Sequence, residues 1–583
     1  MAKKKSPSKT TDLGNEKKKP EVDGFREGFE SIVVAIILAF LFRAFEAEAF
    51  VIPTGSMAST LRGRHKDIDC PLCGQNYQAG DSLGQGMGNL EATVCPSCFY
   101  PNQLETRTTG DGTLNRKHVS HTGDRILVNK FAYERPFGDP KRWDVIVFKN
   151  PNNAKQNYIK RLVGLPNETI RLYHGDVYAK KGDSEFQILR KPPRKLWYML
   201  QDVSDTQHIS EYVETGAYPS NWNARTQGSW VAYDRKAFAC EATATTNWLD
   251  YQHLSPSFDA WGKMIRGETV PPEDRQPSLV TDFYSYNERR TTQAGNHNRN
   301  DAEPRVTPHW VGDLCIDVDV SLTGDNGTFE LQLIEAGRVH SCKFDVATGT
   351  ATFSIDDGSV PFDAVDGKEA TRELTAKTNV KGSGNHSIRF ANTDNRLTLW
   401  VDNRHVSFDR PADYTVDPTT EFPVGTLIDP NNPSDPGDRG DLNPIRIGVT
   451  GVAANLQRLR VLRDIYYIAP VSTQPLLEVN DVEAPRHLRM RSLFSPSEHR
   501  DVFSKRQGKT FDSLSDDQFF PMGDNSPMSQ DARLWAGNNW VERDMLIGKA
   551  VFIYWPHPYH IKIPFTNRTF PVFPDFTRMK LIR

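Results

Sequence analysis

The stretch "WDVIVFKNPNNAKQNYIKRLVGLP", residues 143–166, decides the architecture of this 583-residue chain. Two runs rich in β-branched and aromatic residues flank a segment of Pro and Asn, which is the pattern of two strands joined by a turn. Side chains along a strand alternate between its faces, so Lys160 and Arg161 point in opposite directions. The second run therefore places Lys160 in an otherwise apolar strand.

A lysine that loses its proton can act as the general base for a serine nucleophile. For Lys160 this requires a pKa about three units below the usual ~10.4, which corresponds to roughly 4 kcal/mol of disfavoured charge. Burial among apolar groups, away from carboxylates, would supply that shift. Lys130 lies in an equally apolar strand, and most strand lysines reach solvent, so burial alone does not choose between the two.

The candidate nucleophile lies in "AFVIPTGSMASTLRG", residues 49–63, soon after a short and very apolar run. On its own, Ser56 beside a glycine is typical of an ordinary turn. The chain has 15 histidines, and none of them stands in a recognisable Ser-His-Asp setting. A serine and lysine pair is therefore the arrangement to consider.

The N-terminal part differs in kind from the rest. Residues 1–24 are rich in lysine and have no apolar period, so we expect a disordered tail. The unbroken apolar run from Ile32 to Phe42 is shorter than the ~20 residues that span a bilayer, and a buried helix or the apolar part of a cleaved signal peptide would also fit. We favour a single uncleaved anchor over residues 25–48, with Arg43 and Glu46 at the interface and the lysines in the cytoplasm.

Composition limits the remaining function classes. The formal net charge is −3, so nothing indicates a nucleic-acid partner. Seven cysteines are too few for a small disulfide scaffold. Four of them form two Cys-x-x-Cys pairs, whose spacing can bring four thiolates around a zinc ion. The four are Cys70, Cys73, Cys95 and Cys98.

These cysteines predict a zinc-ribbon-like segment over residues 65–108 with a structural rather than a catalytic metal, since four thiolates close the coordination shell. His65 could add a ligand but is not needed. On the extracytoplasmic side of a membrane disulfides persist, so one or two disulfides, or a redox role, stay open as alternatives.

Residues 201–470 contain runs such as "DLCIDVDVSL" and "HSIRFANTDNRLTLWVDNRHVSF", which alternate with period two between turn signals. Short strands at this spacing predict a β-sandwich. The rhythm resembles concanavalin-like and laminin-G-like jelly rolls, which implies that this insert could bind a carbohydrate or protein ligand. Trp222, Trp230 and Trp310 are expected in its core.

Four motifs carry a more specific resemblance. "PTGSM", "GDRILVNKFAY", "WDVIVFKNP…YIKRLVGLP" and "MGDNSPMSQDAR" occur in the order and wording of bacterial type I signal peptidases. The resemblance covers roughly residues 25–64, 119–200 and 480–560. It implies a mainly β catalytic core assembled from residues 49–64, 119–200 and 471–583, behind an N-terminal transmembrane helix and interrupted by the two inserts.

The resemblance also implies roles for individual residues. Ser56 matches the nucleophile and Lys160 its general base, with no cofactor in catalysis. Thr54 matches a hydroxyl that donates to the oxyanion together with the Ser56 backbone N–H. Ser529 matches a serine that orients the lysine amine. Three further residues match a supporting turn, for which an ordinary surface turn is the alternative: Asp524, Asp531 and Arg533.

The implied substrates are exported preproteins cleaved at the membrane surface. Such a substrate would lie extended against strands, with small residues at the first and third positions before the cut. Met57, Tyr158 and Ile159 are candidates to line this groove, although plain core packing fits Ile159 equally well. The implied location is the inner or plasma membrane, single-pass, with membrane lipid as a partner and the catalytic domain on the extracytoplasmic side.

Two other functions remain to be weighed. A self-cleaving repressor-type Ser/Lys protease would need a DNA-binding helix pair before Ser56, where the chain instead has an apolar run. A cell-surface binding protein on an inactive peptidase scaffold would account for the large inserts. The presence of Ser56, Lys160 and Ser529 argues against it.

Overall fold

The structure is a computed structural model, and it describes residues 28–37, 47–82, 90–104, 120–136, 138–288, 290–291, 309–365, 367–425, 439–470, 508–535, 537–562 and 569–583. Residues 1–48 and 49–583 form two separate units. The predicted tail, and residues 25–27 and 38–46 of the predicted anchor, lie outside the described residues. Residues 28–37 are helical with exposed side chains. No helix in the described ranges is long and apolar enough to cross a membrane.

A seven-stranded sheet assembled from distant parts of the chain carries the predicted motifs. Its strands, in spatial order, are Ala47–Val51, Arg125–Asn129, Leu546–Trp555, Val145–Asn150, Asn153–Gly164, Gln518–Met522 and Val541–Glu542. The two runs of the opening stretch pair antiparallel, with Ile146 opposite Lys160. This hairpin brings the predicted base into the centre of the sheet.

A four-stranded sheet packs beside it. Its strands are Gln187–Ile188, Asp176–Lys181, Glu168–Tyr173 and Lys509–Thr510. Phe148 and Leu162 of the large sheet share one apolar core with Ile170, Leu172 and Val177 of the small one. Alternating apolar residues on both sheets therefore hold the two together.

The predicted sandwich is present as two large sheets that face each other. The nine-stranded sheet contains Gln201–Asp205, Val231–Tyr233, Ala237–Cys240, Leu314–Thr323, Gly384–Thr393, Arg396–Val401, Arg404–His405, Ala412–Asp413 and Ala453–Arg463. The seven-stranded one contains Trp222–Ala224, Asn247–Tyr251, Thr328–Glu335, Arg338–Asp345, Thr350–Ile355, Glu373–Lys377 and Ile445–Thr450. Side chains such as Ile316 and Val318 from one sheet and Leu331 and Phe353 from the other fill the common core. Trp222 and Trp230 lie in that core, as expected.

The cysteine-containing segment forms two small three-stranded sheets. One contains Asn76–Gly80, His65–Asp69 and Ser120–His121, and the other Arg290–Thr291, Leu90–Val94 and Pro101–Gln103. The Phe258–Ile265 helix, from within the sandwich insert, packs on this segment through Trp261 and Met264. The cysteine-containing segment and this helix therefore share a core.

The remaining elements are short. A two-stranded sheet near the C-terminus pairs Pro558–Lys562 with Thr569–Pro574. Two further short α-helices in the described ranges are Pro193–Met199 and Glu211–Glu214. The 3-10 turns are Gly55–Met57, Lys130–Tyr133, Thr206–His208, Pro272–Arg275, Ser285–Asn287, Asp356–Gly358, Pro418–Thr420, Gly440–Leu442, Ser526–Met528, Arg543–Met545 and Phe576–Arg578. The mainly β class predicted from the sequence is confirmed.

Candidate active site

The predicted nucleophile lies on a tight turn between the seven-stranded sheet that contains Lys160 and the segment around Tyr286. Ser56 is the middle residue of the Gly55–Met57 3-10 turn, and Met57 anchors this turn in the apolar core. Gly55 permits the close approach of the insert, because a Cβ there would lie 2.4 Å from the ring of Tyr286. The turn is thus fixed from both sides.

The predicted base meets the predicted nucleophile directly. Lys160 Nζ lies 2.7 Å from Ser56 Oγ and 3.0 Å from the Ile159 carbonyl oxygen. Both side chains are almost fully buried, with Ser56 8% and Lys160 4% exposed. Residues 104 positions apart in the sequence therefore form one hydrogen-bonded pair.

The surroundings of Lys160 disfavour its charged form. Burial lowers the pKa of Lys160 from 10.5 to about 8, while the nearby Asp531 carboxylate works in the opposite direction and Arg533 adds to the decrease. Within the described part of the chain, no carboxylate pairs with this amine. An amine with a pKa near 8 is a competent proton acceptor in neutral solution.

The opposite face of the same strand carries a fully buried ion pair. Arg161 donates two hydrogen bonds to the Asp524 carboxylate, at 2.7 and 2.6 Å, and Thr60 Oγ1 donates a third at 2.5 Å. Burial alone would lower the pKa of Arg161, but Asp524 outweighs it and raises that pKa. Asp524 is thereby held by Arg161 and directed away from Lys160, which keeps the base free of a carboxylate partner.

A second buried ion pair, between Asp531 and Arg533, braces the turn next to Ser56. Arg533 forms a two-pronged contact with Asp531 at 2.8 Å on each prong, and both side chains are fully buried. Burial would raise the pKa of Asp531, but Arg533 outweighs it and lowers that pKa. Asp531 also accepts the Gly523 backbone N–H at 2.9 Å, which fixes the start of the turn.

Ser529 lies beside this turn and is 1% exposed. A Cβ added to Gly523 would lie 2.2 Å from Ser529 Oγ and 2.5 Å from the Ser56 carbonyl oxygen, so Gly523 is the residue that lets these two serines approach. No hydrogen bond joins Ser529 Oγ to Lys160 Nζ among the described residues, so the orienting contact stays a prediction. The Ser529 hydroxyl adds to the effect of Arg533 in lowering the pKa of Asp531.

The other predicted residues divide into two groups. Thr54 is exposed and has an extended backbone immediately before the turn, and Tyr158 and Ile159 are half-buried. Met57 has no exposed surface and packs with Ile52 in the core beneath the turn. The Met57 side chain anchors the nucleophile turn, and its contact with substrate stays a prediction.

Sequence reasoning missed Asn525, which clamps the nucleophile turn. Its backbone N–H donates to the Ser56 carbonyl oxygen at 3.1 Å, and its side-chain amide donates to the Gly55 carbonyl oxygen at 2.9 Å. The side chains of Asn525 and Asn287 also contact each other at 2.7–2.8 Å, so the insert supports the clamp. The only available signal was that Asn525 directly follows Asp524.

The four paired cysteines converge. All four Sγ atoms lie within 4.8 Å of one another, and none of the cysteines is disulfide-bonded. Cys70 and Cys73 each contact the other pair at 3.5 Å, through Cys98 and Cys95 respectively. In both pairs the N–H four residues after the first cysteine donates back to that cysteine's carbonyl oxygen, at 3.0 Å. Two matching turns thus direct four thiols at one point.

Comparisons with known proteins agree with part of this picture. Residues 111–220 and 471–555 match the family model described as "Signal peptidase, peptidase S26". The chain is 45% identical over 82 residues to "Signal peptidase I" of Pseudomonas aeruginosa, covering 11% of this chain and 29% of that relative. It is 35% identical over 81 residues to "Signal peptidase I" of Leptolyngbya laminosa, covering 13% and 39%. The chain thus spans well under half the length of these relatives.

A solved structure, the "carbohydrate binding module CBM66" from Bacillus subtilis, overlaps 41% of this chain and 94% of its own, at 10% identity and a TM-score of 0.21.

The matched family segments include Lys160 and the turn from Gly523 to Arg533, whereas Ser56 lies outside them. These segments of the chain are therefore similar to signal peptidase I, a serine hydrolase.

Proposed function

We propose that the chain is a membrane-anchored serine endopeptidase that cleaves N-terminal signal peptides from exported preproteins, with Ser56 as nucleophile and Lys160 as general base. One observation carries the proposal: the Lys160 amine lies 2.7 Å from Ser56 Oγ in a buried site without a carboxylate partner among the described residues. A binding protein on an inactive scaffold would not require a buried amine hydrogen-bonded to a serine hydroxyl.

The chemistry follows from the two side chains. Neutral Lys160 accepts the Ser56 proton as Oγ attacks the scissile carbonyl carbon, and the resulting ammonium then donates that proton to the leaving amine. The backbone N–H of Ser56 and the hydroxyl of Thr54 would stabilise the oxyanion, since Thr54 is exposed and lies two residues before Ser56. Water, activated by the same amine, then hydrolyses the acyl-enzyme.

The activity should depend on pH through Lys160. Only the neutral amine can accept the proton, so kcat/KM should rise about tenfold per pH unit below a pKa of about 8 and level off above it.

The substrate fits an open strand edge. The Asn153–Gly164 strand pairs with Gln518–Met522 only from Arg161 onward, so within the described residues its edge over 153–160 has no strand partner on that side. An extended peptide can add to such an edge through main-chain hydrogen bonds. Tyr158 and Ile159 lie on this segment, next to the dyad, and would contact the small residues before the scissile bond.

Cleavage of a synthetic preprotein in detergent tests the proposal. Ser56→Ala and Lys160→Ala should each abolish cleavage, whereas Ser513→Ala and Lys181→Ala, which change exposed residues outside the site, should retain it. Comparable circular dichroism spectra of all four variants would establish that folding is intact. Cleavage by either dyad variant would refute the mechanism.

We also propose that residues 25–48 anchor the chain in the inner or plasma membrane, with the N-terminus cytoplasmic. This rests on the apolar run and the lysines before it. Protease protection of a tagged N-terminus in inverted and right-side-out vesicles would test this orientation.

A structural zinc ion on the four cysteines is the third part of the proposal. Zn–S bonds of ~2.3 Å in a tetrahedron require sulfur–sulfur distances of about 3.8 Å, close to the 3.5 Å contacts of Cys70 with Cys98 and Cys73 with Cys95. A disulfide needs about 2.05 Å, so these contacts favour metal over a covalent bond. When bound, the ion would only crosslink the chain. The four cysteines would be its ligands, and the two turns hold these cysteines in place.

The domain division completes the proposal. Residues 49–64, 119–200 and 471–583 form the catalytic core, and residues 65–108 and 201–470 are inserts that join beside the nucleophile turn, through Tyr286 and Asn287. Residues 1–24 form the tail that precedes the anchor. The sandwich could bind a carbohydrate or protein partner, which glycan-array binding of the purified chain would test.

A further inference from the structure

Three histidines and an aspartate meet at a second point, apart from both the dyad and the four cysteines. His65 and Asp67 lie on the His65–Asp69 strand, and His121 lies on the paired Ser120–His121 strand. His557 comes from the C-terminal segment, 492 residues from His65. Three distant segments thus contribute to one cluster, which we call the histidine cluster.

Hydrogen bonds orient His65 toward the centre of the cluster. Its Nδ1 lies 2.7 Å from the Gly63 carbonyl oxygen, and because a carbonyl can only accept, Nδ1 carries the proton. In the neutral ring, Nε2 then presents its lone pair to His557 Nδ1, at 3.3 Å. A backbone carbonyl that holds one nitrogen while the other faces inward is the usual support of a metal-ligating histidine.

His557 faces two acceptors at once. Its Nδ1 faces the His65 lone pair, and its Nε2 lies 2.8 Å from an Asp67 oxygen that cannot donate when ionised. The His65 Nε2 lone pair and an Asp67 carboxylate oxygen therefore converge on the same ring. A cation placed among these ligand atoms would be coordinated by such lone pairs directly.

The distances suit a first-row divalent ion. Metal–nitrogen bonds of ~2.0–2.1 Å in a tetrahedron put ligand atoms about 3.3 Å apart, which is the separation of His65 Nε2 and His557 Nδ1. Asp67 lies 3.9 Å from His65 Nε2 and 3.6 Å from His121 Nε2. Ligand atoms of His65, Asp67 and His557 all lie within 4.8 Å of one another.

We propose that the histidine cluster is a second metal site, of the nitrogen and carboxylate type, that binds a divalent ion of the zinc class through His65, Asp67 and His557. Asp67 is 23% exposed and provides the route by which the ion enters. The imidazole donors favour zinc over magnesium or calcium, which prefer all-oxygen sites.

The site would tie the nucleophile turn to the rest of the protein. His65 holds the Gly63 carbonyl, and Gly63 packs so closely on the turn that a Cβ there would lie 2.1 Å from the Thr54 carbonyl carbon and 2.6 Å from the Gly55 nitrogen. A metal on His65 would therefore stiffen the backbone just before Ser56.

Counting metal on the full chain in detergent tests the inference without measuring cleavage. After incubation with zinc chloride and dialysis, His557→Gln and Asp67→Asn should each hold one equivalent of zinc fewer than a His208→Gln control, since His208 lies outside the cluster. The result does not depend on the peptidase proposal, because neither variant needs to be active. Equal zinc in the cluster variants and the control would overturn the site.

Cobalt substitution separates this site from the four cysteines and reports folding. The His557→Gln variant should keep any thiolate-to-cobalt charge-transfer band and lose the visible band of a nitrogen and oxygen site. The Cys70→Ser, Cys73→Ser double variant should lose the thiolate band and keep the band of the nitrogen and oxygen site. Retention of the thiolate band would show that the segment next to His65 is folded. A wild-type cobalt spectrum with thiolate features alone, or with no visible bands, would refute the proposal even if every variant misfolds.

Discussion

Replacing Lys160 by methionine should inactivate the protein and stabilise it at neutral pH. Burial lowers the pKa of Lys160 from 10.5 to about 8, so the fold opposes protonation of this amine. At ~1.4 kcal/mol per tenfold change, the protonated fold carries a penalty of about 3 kcal/mol relative to the unfolded chain. Methionine has a similar length and no charge, so it removes the penalty without a large change of volume.

The loss of the hydrogen bond to Ser56 offsets part of this gain. A neutral hydrogen bond contributes about 1 kcal/mol, so the net stabilisation at pH 7 should be about 2 kcal/mol. The sign then changes with pH. Between pH 8 and pH 10.5 the unfolded chain binds more protons than the fold, so wild-type stability rises across this window. The advantage of Lys160→Met should therefore fall to near zero by about pH 10.

Urea unfolding monitored by pulse proteolysis measures this difference in the free energy of unfolding within the seven-stranded sheet alone. Peptides from residues 143–166 report the hairpin that contains Lys160, separately from the sandwich. The Lys181→Met control changes an exposed strand lysine and should show no pH-dependent difference. If Lys160→Met is less stable than wild type by the same amount at pH 7 and pH 10, the amine is charged in the fold, and the general-base argument fails.

Three further predictions follow from the same geometry. Gly523→Ala should lower kcat by about 100-fold, because the added Cβ would displace Ser529 Oγ and the Ser56 carbonyl, and a displacement near 1 Å at an active site reduces kcat by about that factor. The control Gly262→Ala, whose Cβ would contact only the flexible end of Arg266, should leave steady-state cleavage unchanged. Asp524→Asn should lower the free energy of unfolding in urea by about 3–5 kcal/mol, because it leaves Arg161 buried without its charge partner. The control Asp517→Asn changes a surface ion pair and should lower it by less than about 1 kcal/mol. Equal losses in the two variants would contradict this explanation. The four paired thiols should react with a thiol reagent only after a zinc chelator is added, and immediate reaction in the untreated protein would exclude the metal.

Local pattern was enough to predict the parts of the site that depend on one strand. Strand alternation separated Lys160 from Arg161, and the structure puts them on opposite faces with different partners, Ser56 and Asp524. The period-two runs likewise predicted the sandwich. In both cases the predicted feature is the face of a single strand on which each side chain lies, which the pattern of residue types records directly.

Contacts between distant segments could not be predicted in the same way. Asn525 meets Asn287 across 238 residues, and His65 meets His557 across 492. No spacing rule connects such residues, because their approach depends on how the inserts dock on the catalytic sheet. Met57 illustrates the same limit, because its position beside Ser56 indicated a groove, and only the structure shows that its side chain packs in the core beneath the turn.

The arrangement of charge around the dyad explains how one strand can hold a neutral amine among so many ionisable groups. Burial lowers the pKa of Lys160, and Asp531 and Asp524 each oppose that decrease. Each carboxylate is held by its own arginine, Arg533 and Arg161 respectively, at 2.6–2.8 Å. The arginines neutralise the two acids that would otherwise keep the lysine charged, so desolvation remains the larger effect on Lys160. The two ion pairs thus weaken the effect of both carboxylates on Lys160. Replacing either arginine should therefore raise the pKa of Lys160, which governs the pH dependence of cleavage.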